Sequence, residues 1–461
     1  MGLNNLNSTE KKLLGLALIV HLITAYFSNG FYHWDEHFQI FEFANFKLGH
    51  IPASYLPWEF ASKMRPFILP GLATFIGSFI ADPFINAGLM RLLAMVLSFY
   101  ACLVFYQHTK DEFKPELYSF YLFASFFLWF LPFLHVRVSA EIIGGALFII
   151  GYCLASNKTT LNILMVGFLF GLAFWIRFQL GFALLGLGLG YLMNKEFTIK
   201  EIFIMVAGFL LAVGINVAID SWGYGQMTFT PWQYLNENIF LGKSKNFGVN
   251  PISDYFKWIL NRPGLPIGIL FYLAIISQLR TAFKHPLTLS FLFFVSIHFL
   301  VGHKEIRFLF PLVFLLPYFV MRFLSLSLPK VCTSKIFKYG FIVINLIPMM
   351  YLMNANAHPS VDYFKQTKDT EMSELTIQGE TDPYKLAGLD VRFYQHNVPR
   401  RHLNQKDLMG YIFSDRVKYA RSLQEKSCQL IYSSNSILMY NLNSSYLKDN
   451  KRLWTLYKCQ N

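Results

Sequence analysis

The chain has 461 residues, of which 54% are hydrophobic and only 15% charged, with a formal net charge of +13; a soluble domain carries about 25% charged residues. So little charge, gathered between long apolar runs, excludes an ordinary soluble globular protein and describes a polytopic membrane protein in a lipid bilayer. The basic excess fits loop lysines and arginines against a membrane surface, and no nucleic-acid motif accompanies it.

From the N-terminus, the first apolar run, Leu13 to Phe27, has the length of a signal-peptide core but no small-residue cleavage site after it, so it is expected to stay as a first helix. Further runs of roughly 15 to 20 apolar residues, each near the length a bilayer requires, follow at 88–106, 118–134, 140–156, 161–176, 179–193, 202–219, 264–279, 287–302, 307–326 and 339–353. With a first span at 12–28 this gives about eleven transmembrane helices in a catalytic domain over 1–353. The stretch 66–80 is apolar but broken by Pro66, Pro70, Gly71 and Gly77. It suits a re-entrant or interfacial piece better than a straight crossing. Lysines and arginines divide evenly between the two sides, so the positive-inside rule does not orient the chain.

From 354 to 461 the composition becomes that of a soluble protein, expected as an extramembrane α/β-type domain that either caps a site or stabilises the rest. Cys102, Cys153 and Cys332 lie in or beside apolar segments and read as packing residues. Cys428 and Cys459 lie in the tail, where a disulfide can form if that tail faces an oxidising compartment. No CxxC or Cys/His spacing points to zinc, and no cofactor is expected.

Two charged stretches stand directly beside apolar runs, where charge is costly unless paired, hydrated or used. In the first, His33-Trp34-Asp35-Glu36-His37-Phe38-Gln39, adjacent Asp35 and Glu36 point to different faces of a helix, so one can act as a base while the other is held by a neighbour. Two histidines and two acids also raise a metal site, but no complete ligand set is present. The second, His303-Lys304-Glu305-Ile306-Arg307-Phe308, places three cationic or potentially cationic groups around one acid; Arg307 can grip a phosphate in a forked geometry and Lys304 can add charge. The expectation is that the two meet as one active site at a membrane surface.

Between them lie weaker signals. Trp58-Glu59 with Arg65 reads either as an interfacial anchor or as a sugar-holding pair. Arg137 and Glu141, at i,i+4, suggest an intrahelical ion pair. Arg177 closes a helix without a local partner and would reach either a lipid phosphate or a substrate phosphate. The outer loop from Asp220 to Arg262 is rich in aromatics and amides, including Trp232 and Asn238, and suits carbohydrate or lipid headgroups equally.

The acidic HxDEhFQ segment after the first helix, the Trp-Glu followed by an Arg, the Thr-Pro-Trp loop with Asn238 beyond it, and His-Lys-Glu-x-Arg-Phe before a proline helix together resemble the family 22 glycosyltransferases. That family includes dolichyl-phosphate-mannose-dependent alpha-mannosyltransferases and related prokaryotic proteins. The resemblance implies a GT-C fold, a polyprenyl- or dolichyl-phosphate sugar donor, a glycan or glycolipid acceptor, and an inverting, metal-independent transfer, with mannose the expected sugar. The site would face the periplasm of a bacterial inner membrane or the lumen of the endoplasmic reticulum. Carried over, Asp35 is the base with Glu36 in support; His303, Lys304 and Arg307, joined by Arg177, hold the donor phosphate. His33, Gln39, Trp58, Glu59, Arg65, Trp232 and Asn238 border acceptor and sugar. The chain departs from the commoner pattern at Trp34, where proline is usual, and at Pro66, where serine follows the arginine. The rival reading is a non-catalytic transporter or flippase of lipid-linked sugars, which would share the cations and aromatics but need no poised carboxylate; the repeated halves common in transporters are absent from this sequence.

Overall fold

A computed structural model of the chain describes residues 6–355, 357–394, 398–403, 409–426, 428–434 and 452–459. It divides into two compact units, one built from Met1–Ser28, Trp58–Leu72 and Gly88–Ala355, the other from Asn29–Pro57, Ala73–Ala87 and Asn356–Asn461.

The first unit is helical. Every apolar run expected to span has a helix: Ser8–Phe27, Pro83–Thr109, Tyr118–Phe127 with Leu131–His135, Ala140–Leu154, Thr160–Ile176, Leu180–Met193, Ile199–Tyr224, Leu265–Thr281, Pro286–Leu300, Ile306–Leu315 with Leu316–Ser327, and Lys335–Asn354. Four of these, starting at Pro83, Ile199, Ile306 and Lys335, are long and apolar enough on their own to cross a membrane. Asn7 and Glu10 close a reciprocal cap at the first helix, so it starts at Ser8 rather than at 12. The run 307–326 opens as a 3₁₀ segment holding Pro311 before turning α-helical at Leu316. In 66–80 the structure has a helix over Ile68–Gly77; its 10 residues rise about 15 Å, half the hydrocarbon thickness of about 30 Å.

Small residues set how closely these helices pack. A Cβ on Gly167 would lie 1.8 Å from the Met205 carbonyl oxygen and one on Gly208 would lie 2.0 Å from that of Leu164, so Thr160–Ile176 and Ile199–Tyr224 touch backbone to backbone.

The second unit carries the sheet. Its strands are β1 (Leu375–Gln378), β2 (Lys385–Leu386), β3 (Leu389–Asp390), β4 (Arg400–His402), β5 (Gly410–Arg416), β6 (Gln429–Ser433) and β7 (Arg452–Cys459). Five of them run in the order β4-β1-β5-β7-β6, with β1 parallel to β4 and β5, and β7 antiparallel to β5 and β6. β2 and β3 form a separate hairpin. Cys428 and Cys459 are joined by a disulfide; Cys102, Cys153 and Cys332 are buried free thiols.

The composition break at 353/354 marks only part of this unit, which also takes in residues 29–57 and 73–87. Among the contacts that join these stretches are the Ala357 N–H on the Asn29 carbonyl, Phe31 stacked on His358, Phe84 against Tyr394, and Glu42, 1% exposed, whose Oε1 accepts from the backbone N–H of Arg392 (2.6 Å) and Phe393 (2.9 Å) and lies 2.8 Å from His37 Nε2. A buried carboxylate therefore helps tie the stretch after the first helix to the C-terminal residues, alongside backbone bonds and ring contacts.

Candidate active site

The acidic motif sits in the second unit as a short helix, Trp34–Glu36, running into a π turn over His37–Phe41. Such turns interrupt the regular ladder and are frequent at functional sites. His33 caps it: its Nδ1 accepts from the Asp35 N–H at 3.2 Å, and the Glu36 carboxylate accepts from the His33 N–H at 3.3 Å. The two neighbours therefore differ in surroundings. Glu36 is buried at 7% exposure and engaged in the cap, whereas the Asp35 carboxylate keeps 23% of its side chain exposed and lies 3.5 Å from His33 Nδ1. Gln39 is half-buried within the π turn. His37 is buried and stacks on Tyr394. Glu42, which holds this turn, was not singled out in the sequence; nothing in its local pattern separates it from a surface glutamate of an amphipathic helix.

The cationic motif sits in the first unit. Arg307 and Arg177 are buried at 8% and 6% exposure, and both guanidiniums lie over the ring of Phe308, at 5.3 and 5.2 Å. Glu141 stands between them, 3.3 Å from Arg177 Nη2 and 3.7 Å from Arg307 Nη1. Glu305 pairs with the Arg307 Nε and accepts from its Nη2 at 3.2 Å, and its Oε1 also lies 2.9 Å from His303 Nε2. Lys304 donates to the Val301 carbonyl; burial lowers the affinity of its ammonium for the proton, with Asp254 pulling the other way. Arg177 Nε and Nη2 are buried without a hydrogen bond.

Three expectations differ from the structure. Arg137 and Glu141 are not an intrahelical pair: the helix Leu131–His135 ends before them, Ser139 caps the next one, and the i,i+4 spacing spans a break in the backbone. Arg137 turns instead to the Ser28 carbonyl and hydroxyl at 2.7 and 2.9 Å, which frees Glu141 for Arg177. Arg177 in turn has a partner, distant in sequence, and is buried rather than reaching toward lipid. Asp220 is likewise no loop residue. The helix Ile199–Tyr224 contains it and ends at Gly225, whose φ of 70° suits glycine. Its fully buried carboxylate accepts from Phe67 N (2.7 Å), Trp175 Nε1 (2.8 Å) and Thr230 Oγ1 (2.6 Å). That fixes three segments relative to one another, each bearing a candidate residue: Arg65, Arg177 and Trp232.

The remaining candidates fall in the same unit. Glu59 lies 3.5 Å from Arg65, and Tyr224 donates to the Arg65 carbonyl at 2.7 Å. Trp58 stacks toward Phe247 and carries the Lys243 ammonium 4.8 Å above its ring. Trp232 is 53% exposed on the short helix Thr230–Leu235, and the Asn238 amide donates to the Tyr234 carbonyl at 3.1 Å. Among the described residues no three His, Cys, Asp or Glu side chains gather as a metal site.

A model of the Alg9-like mannosyltransferase family matches residues 13–387. The chain belongs to this family. GPI mannosyltransferase 3 of Drosophila melanogaster is 23% identical over 377 residues, covering 77% of this chain and 64% of that protein. GPI alpha-1,2-mannosyltransferase 3 of Danio rerio is 32% identical over 146 residues, 31% of this chain and 26% of that one. This Alg9-like chain thus spans under two thirds of the length of these relatives. Among solved structures it is similar to ArnT from Cupriavidus metallidurans, crystallised with undecaprenyl phosphate, at TM-score 0.51 and 11% identity over 96% of this chain and 97% of that one. The likeness gives this member of the Alg9-like family a GT-C fold; its family and its long apolar helices make it an integral membrane protein.

Proposed function

We propose that this chain transfers a sugar, mannose by its family, from a polyprenyl-phosphate donor to a hydroxyl of a glycan or glycolipid acceptor. One observation carries the reading: two buried arginines share a single carboxylate at 3.3 and 3.7 Å, and one of them leaves Nε and Nη2 without a hydrogen bond. Buried guanidinium donors are costly unless used, and a phosphate oxygen is the acceptor such a fork matches. The undecaprenyl phosphate held by ArnT, a chain of the same fold, supports a lipid-borne phosphate.

In the proposed transfer Asp35 takes the proton from the acceptor hydroxyl as its oxygen bonds to the anomeric carbon. The anomeric carbon–oxygen bond to phosphate breaks, and its electron pair stays on the phosphate oxygen. Arg177 and Arg307, with Lys304 and His303, stabilise that departing charge; Glu36, fixed in the cap, holds the turn that presents Asp35. A single displacement of this kind inverts the anomeric centre. His33, Gln39, Trp58, Glu59, Arg65, Trp232 and Asn238 are assigned to acceptor and sugar, Trp232 by its exposed ring and the Glu59–Arg65 pair by its hydrogen-bonding edge. The Cys428–Cys459 disulfide belongs to the same compact unit as Asp35, which supports a periplasmic or lumenal side for the base.

The test is binding of a radiolabelled polyprenyl-phosphate mannose to the purified protein in detergent. Arg177→Ala and Arg307→Ala are each expected to weaken it by at least tenfold, the scale of one charge-assisted contact, about 1.5–3 kcal/mol. Unchanged affinity in both variants overturns the phosphate assignment.

A further inference from the structure

Glu141 is the one carboxylate in contact with both Arg177 and Arg307 among the described residues. It is 4% exposed and sits in the first turn of Ala140–Leu154. Its distances are those of a loose ion pair rather than of hydrogen bonds: Glu141 Oε1 and Arg177 Nη2 are both buried without a hydrogen bond. A carboxylate that served only to lock the arginines would be expected to grip them, as Glu305 grips Arg307. Glu141 instead sets its carboxylate between the two guanidiniums and leaves Arg177 Nε and Nη2 without a hydrogen bond.

Resting on the donor-phosphate reading above, we infer that Glu141 is a specificity-determining residue that distinguishes the loaded carrier from the spent one. The two ligands differ in charge. A sugar phosphodiester bears one negative charge, whereas the phosphomonoester left when the anomeric bond breaks takes on most of a second at neutral pH, its second ionisation lying near 6. A fixed carboxylate a few ångströms away repels the second charge in addition to the first. Its presence therefore penalises the product more than the substrate and hastens departure of the spent lipid, while Lys304, added to two arginines balanced by Glu141 and Glu305, leaves a net positive charge to hold the loaded one.

The experiment measures two dissociation constants at pH 7.5 on the full-length protein in detergent, one for a polyprenyl-phosphate mannose and one for the corresponding polyprenyl monophosphate. In Glu141→Gln the monophosphate is expected to bind on the order of tenfold tighter relative to the sugar phosphodiester than in the wild type, and in turnover it becomes the stronger product inhibitor. Glu141→Asp keeps the charge and returns the ratio toward the wild-type value. Glu141→Met repeats the uncharged test should the glutamine variant misfold. An unchanged ratio in the uncharged variant, or a loss of affinity equal for both ligands, overturns the inference and leaves Glu141 as a brace for the arginines. Absence of binding of either lipid to the wild type instead overturns the donor-phosphate reading itself, so the two failures are distinguishable.

Discussion

Lys304 stands at an apolar junction where its ammonium is costly, and its lowered proton affinity has a signed consequence. The cation is present at low and neutral pH and lost as pH rises, at values below the ordinary lysine range of about 10.4. Binding of the polyprenyl-phosphate donor is therefore expected to weaken on the alkaline side earlier than an unperturbed lysine allows, and Lys304→Arg is expected to move that limb upward, because a guanidinium stays charged. An identical alkaline limb in the variant removes Lys304 from the phosphate's surroundings. Among single residues, the His-Lys-Glu-x-Arg cluster and the Asp35–Glu36 pair stand out in the sequence because charges beside apolar runs announce themselves, and the structure buries Glu36 in the cap while leaving Asp35 partly exposed. Glu141 was misassigned, since a spacing rule for one helix was applied across a break, and Glu42 was missed because its partners, Arg392 and Phe393, lie some 350 residues away.

Helices and their ends hold the candidate residues through a few buried contacts. Asp220 satisfies three donors at once; Asp220→Ala leaves them buried and unpaired at about 1–3 kcal/mol each. A fall in thermal unfolding temperature of the detergent-solubilised protein is expected, larger than in Asp220→Asn, which keeps one acceptor oxygen; equal temperatures for wild type and both variants contradict the latch. Gly208→Val is expected to cost about 1–3 kcal/mol by the same assay, since the added carbons meet the Leu164 carbonyl, and an undisturbed transition contradicts the backbone contact. The apolar runs gave the helices in nearly the right places. Their breaks were less legible: the kink between Tyr118–Phe127 and Leu131–His135, and the 3₁₀ opening at Ile306–Leu315, depend on tertiary contacts and on prolines that an apolar count does not weigh.

In the chain taken entire, the division into two units runs across the sequence rather than along it. Composition marked a change at 354 but not the earlier stretches of the same unit, because what joins residues 29–57 to it is contact across the sequence, the Glu42 carboxylate and the rings of Phe31 and His37 among it. Glu42→Ala removes the acceptor for the Arg392 and Phe393 N–H groups, and faster cleavage of the C-terminal region in limited proteolysis is expected, with transfer lost alongside; unaltered cleavage contradicts the tie. The central claim is that an Alg9-like chain of GT-C fold moves a sugar from a lipid phosphate with Asp35 as the base. The most direct measurement incubates the purified wild type and Asp35→Asn with labelled polyprenyl-phosphate mannose and a membrane lipid extract, and follows both donor binding and labelled product. The account predicts product from the wild type, and from the variant undiminished donor binding with transfer reduced at least a thousandfold; transfer retained by Asp35→Asn, or no product from the wild type, would contradict it.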